Sequence, residues 1–394
     1  MSALSSIAEQ VENRNKMIAG IILYCVAPIG MSLLPLLVGA ATETLNLSAK
    51  QAGWLATADY AGIATAALLV SFIIRKVSWR VLAISALLPL IIVNLYSTTV
   101  DNFPTLLIAR FLAEFGTGII FSLAIMMIGE TRDPDRSYAI GIGLTIGLST
   151  LMYIGLPGLI DTYGLAIVFL THAALSVLIL PALIWISGGI QTAKGGVSHP
   201  LFTALFSIDV VKLLPVFMAF CLFTAAEGGV WAYLETLGNN AGLSDQTVGN
   251  ILALTQLAGV GAALLVAWLS TKWGRQVPLL GGLVFFGIGA LALLYSNLVG
   301  YFLGAMITQF FYIFLVPYFL LICVEADKSK QNYVLSTPFK LFGFALGPAV
   351  IAFFIEGYGY AVISYVTLAM LVFSALLILP SLKKLDLDKL EDTV

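Results

Sequence analysis

The chain has 394 residues, 60% of them hydrophobic and 10% charged, with a formal net charge of −2. Soluble domains carry about 25% charged residues, so a freely soluble protein is excluded, and a mean hydropathy of +1.01 places this chain in a lipid bilayer. The 19 Lys and Arg are dealt out one loop at a time and form no basic patch, which excludes a nucleic-acid partner.

The opening MSALSSIAEQVENRNK is polar and mixed in charge, and no small-residue cleavage site follows the apolar run behind it, so no cleaved leader is expected. Apolar runs of roughly 20 residues cross a hydrocarbon core of about 30 Å at 1.5 Å per residue. The chain offers twelve. The first, 17–41, carries no charge; the second, 51–74, has Ser48 as N-cap and Gln51 three residues on as its capping-box partner. The third covers 81–100, and the turn Asp101-Asn102-Phe103-Pro104 separates it from the fourth, 105–129. A charged loop at 130–136 leads to the fifth, 138–160, and Asp161-Thr162-Tyr163 turns into the sixth, 164–187.

The stretch GGIQTAKGGVSHP at 188–200 is Gly-rich, polar and closed by proline, the composition of a linker. Spans seven and eight cover 211–234 and 246–270. From Gln276 to Val324 there is no charge, too long a run for one crossing, and a split at Ser296-Asn297 gives spans 277–295 and 299–324. The eleventh covers 333–355, and the twelfth, 360–380, ends at Pro380 before a charged tail. The predicted organisation is an all-α membrane protein with a six-helix bundle over 1–187, a cytoplasmic linker over 188–207 and a second bundle over 208–394.

With the N-terminus inside, sixteen of the 19 Lys and Arg fall on one side; Lys50 falls outside, and Arg110 and Lys340 lie within spans. The positive-inside rule then puts both termini in the cytoplasm. The halves also repeat. Residues 47–80 align without a gap to 243–276 at an offset of 249 − 53 = 196, pairing Leu47, Ser48 and Gly53 with Leu243, Ser244 and Gly249, and Lys76 with Lys272. A cap, an apolar span and a basic exit recur at half the chain length. Duplicated bundles of this kind place substrate between the halves near the midplane.

Two six-helix halves, a linker after the sixth helix and short basic loops after helices two and eight resemble the major facilitator superfamily. The superfamily's Gly-x-Leu-Ala-Asp-Arg-x-Gly-Arg-Lys motif is legible after helix eight, where Lys272, Gly274 and Arg275 keep its Lys, Gly and Arg. After helix two, Ser71 stands for the first glycine, Arg75 for the aspartate and Ser78 for the second glycine, leaving Lys76 and Arg80 as the basic positions. The resemblance makes these two loops gating elements. Arg110 to Gly116 in helix four is similar to the Arg-x-x-x-Gly-x-Gly motif of proton-coupled members, with Glu114 in place of the first glycine. Gly347-Pro348 in helix eleven has the order of an antiporter motif that helix five lacks.

A charge at the centre of a membrane helix costs about 2.5–3.5 kcal/mol on insertion scales, so each needs a partner or a watered cavity. Asp59 lies about 15 Å from the outer end of its helix, near the midplane, and is either interhelical packing glue or a protonatable site. Arg110 and Glu114 share a helix face and form either a local ion pair or, since the resemblance puts helix four on the central cavity, a site for a substrate carboxylate or a proton. Glu227 precedes Gly228-Gly229 in helix seven with nothing basic near it in sequence, and it reads as a cation contact or proton site, or else as an interhelical hydrogen bond. Lys340, about 10 Å from the cytoplasmic end of its helix, either snorkels or is a transport and proton-coupling candidate. His172 reads as packing, as do Cys25, Cys221 and Cys323, which have no metal-ligand spacing. Tyr24, Trp231, Tyr233, Phe310 and Tyr312 are core residues or the lining of an organic-solute cavity.

The expected function is secondary active transport of a small organic solute by alternating access, driven by protons at Asp59, Glu114 or Glu227 and directed to efflux. Uptake of an organic acid or zwitterion by symport or uniport, and lipid translocation, are the alternatives. No Gly-x-x-x-x-Gly-Lys-Ser/Thr loop is present, so ATP is not the energy source. Without a nucleophile beside a base, an enzyme is not expected. Nor is a cofactor or metal, and a monomer in the inner membrane is expected.

Overall fold

A computed structural model describes residues 3–188, 208–270, 272–327 and 332–391, and the regular structure among them is helical throughout. In chain order the helices are α1 (Ala3–Val26), α2 (Ile29–Ser32), α3 (Leu34–Leu45), α4 (Ala49–Ile73), α5 (Trp79–Ser97), α6 (Phe103–Gly129), α7 (Pro134–Tyr163) and α8 (Ala166–Leu178). Then follow α9 (Ile208–Asn240), α10 (Asp245–Leu269), α11 (Gln276–Ala292), α12 (Leu298–Ala326), α13 (Ser336–Tyr358) and α14 (Ala361–Glu391). Among the described residues, eleven segments are long and apolar enough to span a bilayer. The ninth predicted span, 277–295, is α11, apolar but 17 residues long, about 26 Å at 1.5 Å per residue. Of the linker predicted at 188–207, all but Gly188 lies outside the described residues.

The predicted helix starts are made by side chains. Gln51 N–H donates to Ser48 Oγ at 3.2 Å while Ser48 N–H donates to Gln51 Oε1 at 2.9 Å, both arms of a capping box. The repeat's Ser244 accepts from Thr247 N–H at 3.3 Å. Asn297, where the uncharged run was split, accepts from Gly300 N–H at 2.9 Å, and Asn102 accepts from Thr105 N–H at 3.0 Å.

Three predicted spans differ from the structure. The first is broken at Ala27-Pro28, where Pro28 has no N–H to continue the ladder of α1, and again at Leu33, just before Pro35, which also lacks one. The carbonyls around the break are taken up by α7: Thr145 Oγ donates to Tyr24 O at 3.3 Å, and the Tyr153 hydroxyl donates to Ser32 O. The sixth ends as an α-helix at Leu178 and finishes as a 3-10 turn, Leu180–Trp185, with Pro181 in its first turn. The twelfth runs through Pro380 to Glu391, just as Pro89, Pro157, Pro215, Pro317 and Pro348 sit inside helices.

The chain forms two compact units: Met1–Leu45 with Ala58–Gly196, and Asn46–Thr57 with Val197–Val394. In the first, α1, α5, α6 and the 3-10 turn share a core that includes Leu23, Trp79, Leu87, Leu123, Met127 and Ile186. Trp79 is buried, its indole N–H donating to Ile74 O at 2.8 Å and its backbone N–H to Gly188 O at 3.1 Å. In the second unit α9 is the enclosed helix, with 78% of its span buried against 22% for α7 in the first. It carries an aromatic stack in which Phe319 lies 5.2 Å from Phe220 and 4.9 Å from Phe223. The head of α4 belongs to this unit: Tyr233 Oη donates to Ala49 O at 2.9 Å, and Lys50 Nζ pairs with Glu356 at 3.5 Å. Large apolar side chains such as Ile92, Leu151, Leu264 and Phe353 stand exposed, a pattern that only lipid accommodates in such numbers.

Candidate functional site

In the first unit, small residues bring α4 and α6 into backbone contact. A Cβ on Gly62 would lie 2.5 Å from Phe111 O, and one on Gly118 would lie 2.7 Å from Ala66 Cβ. Asp59, Gly62 and Ala66 share one face of α4, and Arg110, Glu114 and Gly118 share one face of α6, so this close approach delivers Asp59 to Arg110. Arg110 Nε and Nη2 hold Asp59 Oδ1 and Oδ2 at 3.0 and 3.1 Å, a two-point fork. Nη2 also reaches Glu114 Oε1 at 2.5 Å, and Nη1 donates to Asn94 Oδ1 at 3.1 Å. Asn94 in turn donates to Leu90 O at 2.9 Å, and the guanidinium carbon lies 5.6 Å from the centre of the Phe169 ring. Arg110 is fully buried, and Asp59, Glu114 and Asn94 are within 3% of being so.

Two carboxylates therefore share one guanidinium. With both acids ionised the group carries a net −1 inside the membrane, and one added proton makes it neutral. Glu114 Oε2 has no hydrogen-bond partner among the described residues. Its carboxylate instead presses on the broken segment of the first span, where a Cβ on Gly30 would lie 2.7 Å from Oε1. The sequence pairs Arg110 with Glu114 and leaves Asp59 apart. Asn94 is missed altogether, although an amide in the middle of the apolar run 81–100 is itself a signal.

In the second unit Glu227 is buried, 3% exposed, and has no hydrogen bond or ion pair among the described residues. Gly228 and Gly229 let α9 close on α13: a Cβ on Gly228 would lie 2.7 Å from Phe344 O, and one on Gly229 3.4 Å from Gly347 C. One turn before Glu227, Thr224 donates to Lys340 O at 2.9 Å. Lys340 itself is half-buried and makes no ion pair with Glu227. Among the aromatic candidates, Tyr24 packs on Phe121 at 5.3 Å, and Tyr312 packs on Phe223 at 6.1 Å and on Phe344 at 5.7 Å.

The two motif loops have different backbones. Gly274 takes φ +70°, a left-handed turn that favours glycine, whereas its counterpart Ser78 is at φ −58°. Arg275 pairs with Glu325 at the end of α12, and Lys272 Nζ lies 4.7 Å from the centre of the Trp268 ring. In the first unit the glutamate at the matching helix end, Glu130, pairs with Lys16 at 3.2 Å, and Arg80 donates to Ile184 O at 3.0 Å. Arg75 and Lys76 are exposed. Thr271, opposite Arg75 in the repeat, lies outside the described residues. No group of three or more His, Cys, Asp or Glu is placed to hold a metal among the described residues.

Membrane-length helices with a buried ionic cluster in one unit and buried acids, Glu227 among them, in the other define a polytopic membrane protein. The comparisons carry this to a family. Residues 20–337 match the sequence pattern of the Major Facilitator Superfamily, and the chain belongs to that family of secondary transporters. Among solved structures, the fold is similar to a point mutant of the nucleoside transporter NupG, with a TM-score of 0.74 at 13% identity, covering 94% of this chain and 99% of that one. NupG itself gives a TM-score of 0.72 at 13% identity, covering 94% and 98%. A bacterial homolog of the human lysosomal transporter Spinster, in an inward-facing and unoccupied conformation, gives 0.71 at 13% identity, covering 96% and 98%.

Proposed function

We propose that this protein is a proton-coupled transporter that moves a small organic solute out of the cell by alternating access. The observation that supports this best is the stoichiometry of the buried cluster, two carboxylates on one guanidinium, which one proton neutralises. Ionised, Asp59 and Glu114 both hold Arg110. A proton on Glu114 weakens its grip and leaves Asp59 as the charged partner, so proton binding reshapes the packing of α4 against α6. Glu227, buried without a partner among the described residues, is the second candidate site, for a proton or for a cationic group on the substrate. Lys340 supplies positive charge on the cytoplasmic side, and the loops carrying Arg75, Lys76, Arg80, Lys272, Gly274 and Arg275 act as gates. The charge pattern of the loops supports insertion in the inner membrane with both termini cytoplasmic and two bundles on either side of the linker.

The test begins with a thermal-shift screen of the purified protein at two pH values against metabolites and drugs, nucleosides among the first because of the fold neighbours. Proteoliposomes loaded with the stabilising compound should then show movement that follows an imposed pH gradient. Transport indifferent to that gradient, with no proton movement, would leave a uniporter and refute the coupling.

A further inference from the structure

Among the described residues, Arg110 hydrogen-bonds to two acids and one neutral group. Its Nε and Nη2 hold Asp59, Nη2 also reaches Glu114, and Nη1 donates to Asn94 Oδ1 at 3.1 Å. Asn94 stands on α5 and is fully buried. A guanidinium only donates, so the amide must turn its oxygen to Arg110, and its nitrogen is used one turn back on Leu90 O at 2.9 Å. The amide is thus held at both ends. Other ionisable groups lie on the elements packed against α5 and α6. His172 is on α8, one turn from Phe169, the ring against which Arg110 lies. Tyr153 on α7 donates to Ser32 O, Lys16 on α1 pairs with Glu130, and Tyr24 and Tyr138 pack on each other. The turn Leu180–Trp185 carries no ionisable side chain.

We propose that Asn94 is the positioning residue of this cluster: its amide oxygen anchors Arg110 without adding charge, and so limits the cluster to one exchangeable proton. The proposal rests on the reading of the Arg110 cluster as a proton site. A carboxylate has nearly the shape of an amide and would serve Nη1 as an acceptor equally well. It would, however, put a third acid on one guanidinium, a net −2 with all three ionised, and two protons would then be needed to reach neutrality inside the membrane, where uncompensated charge is costly. The amide supplies the same acceptor with no charge. Its bond to Nη1 is also indifferent to the form Glu114 takes, so Arg110 stays against Asp59 when a proton loosens Glu114.

Infrared difference spectra of the full-length protein in nanodiscs, recorded between a low and a high pH, read the carboxylic acid C=O stretch and so count the buried acids that take a proton. The wild type should show one band that Glu114→Gln removes, since Asp59 alone then balances Arg110. Asn94→Asp should add a second band of similar area. Asn94→Asp combined with Glu114→Gln returns to two acids on one guanidinium and should restore a single band, which keeps the count testable if Asn94→Asp alone folds poorly. Asn94→Leu changes no charge and should keep one band, displaced in frequency as Arg110 loses its anchor. No added band in Asn94→Asp, or no band in the double variant, would overturn the limit to one proton, and a band unmoved by Asn94→Leu would overturn the positioning; either result leaves the proton site standing. The absence of any band that Glu114→Gln removes would refute the proton site itself.

Discussion

Replacing Arg110 with methionine should harm the protein more than removing the whole ionic cluster. Arg110→Met leaves Asp59 and Glu114, 3% and 1% exposed, facing each other without the guanidinium that now makes three hydrogen bonds to them, and leaves Asn94 Oδ1 without its donor. Stripping one partner from a buried ionic group costs about 3–5 kcal/mol, whereas replacing the group with apolar residues of similar volume is often neutral or stabilising by about 1–4 kcal/mol. The single variant should therefore shift the unfolding equilibrium by roughly a hundred-fold to several thousand-fold at about 1.4 kcal/mol per decade. The triple variant Arg110→Met, Asp59→Leu, Glu114→Leu should recover most of that loss while transporting nothing. Unfolding in mixed micelles, followed by tryptophan fluorescence, gives the ordering. An Arg110→Met protein as stable as wild type would refute the buried pairing, and a triple variant no better than the single one would refute the claim that uncompensated charge is the cause.

Glu227→Gln should abolish proton-driven accumulation while substrate exchange across the membrane continues, measured with a labelled substrate with and without a pH gradient; full retention of uphill transport would remove Glu227 from the coupling. Gly62→Leu, which must push into Phe111 O, should cost at least the roughly 1–3 kcal/mol typical of overpacking, and should alter transport more than an equal insertion on the lipid face at Ile92. Ser48→Ala removes one arm of the capping box and should cost about 1 kcal/mol, read as a small fall in melting midpoint, with Ser48→Asp close to wild type.

The features legible in the sequence are those set by near neighbours. The caps at Ser48 and Ser244 depend on residues three positions away, so pattern alone finds them. Arg110 and Glu114, one turn apart, are paired for the same reason. Asp59 is 51 residues from Arg110, and its arrival depends on Gly62 and Gly118 letting two helices touch, a packing fact with no periodic signature. Prolines mislead in both directions: Pro28 and Pro181 interrupt or end helices predicted to continue, whereas Pro380, read as an end, sits inside one, because neighbouring helices decide whether the freed backbone groups find partners. The motif loops show the limit most plainly. Gly274 holds a left-handed turn that Ser78 does not adopt, so a worn motif in the sequence is a different loop in the structure.

Simultaneous recording of substrate and proton movement tests the central claim most directly. Proteoliposomes containing a pH-sensitive dye and loaded with the substrate found by screening should show protons moving opposite to the solute when a solute gradient is imposed, and Glu114→Gln should release that linkage. Solute flux in the wild type with no proton movement, or proton movement untouched by Glu114→Gln and Glu227→Gln alike, would contradict it.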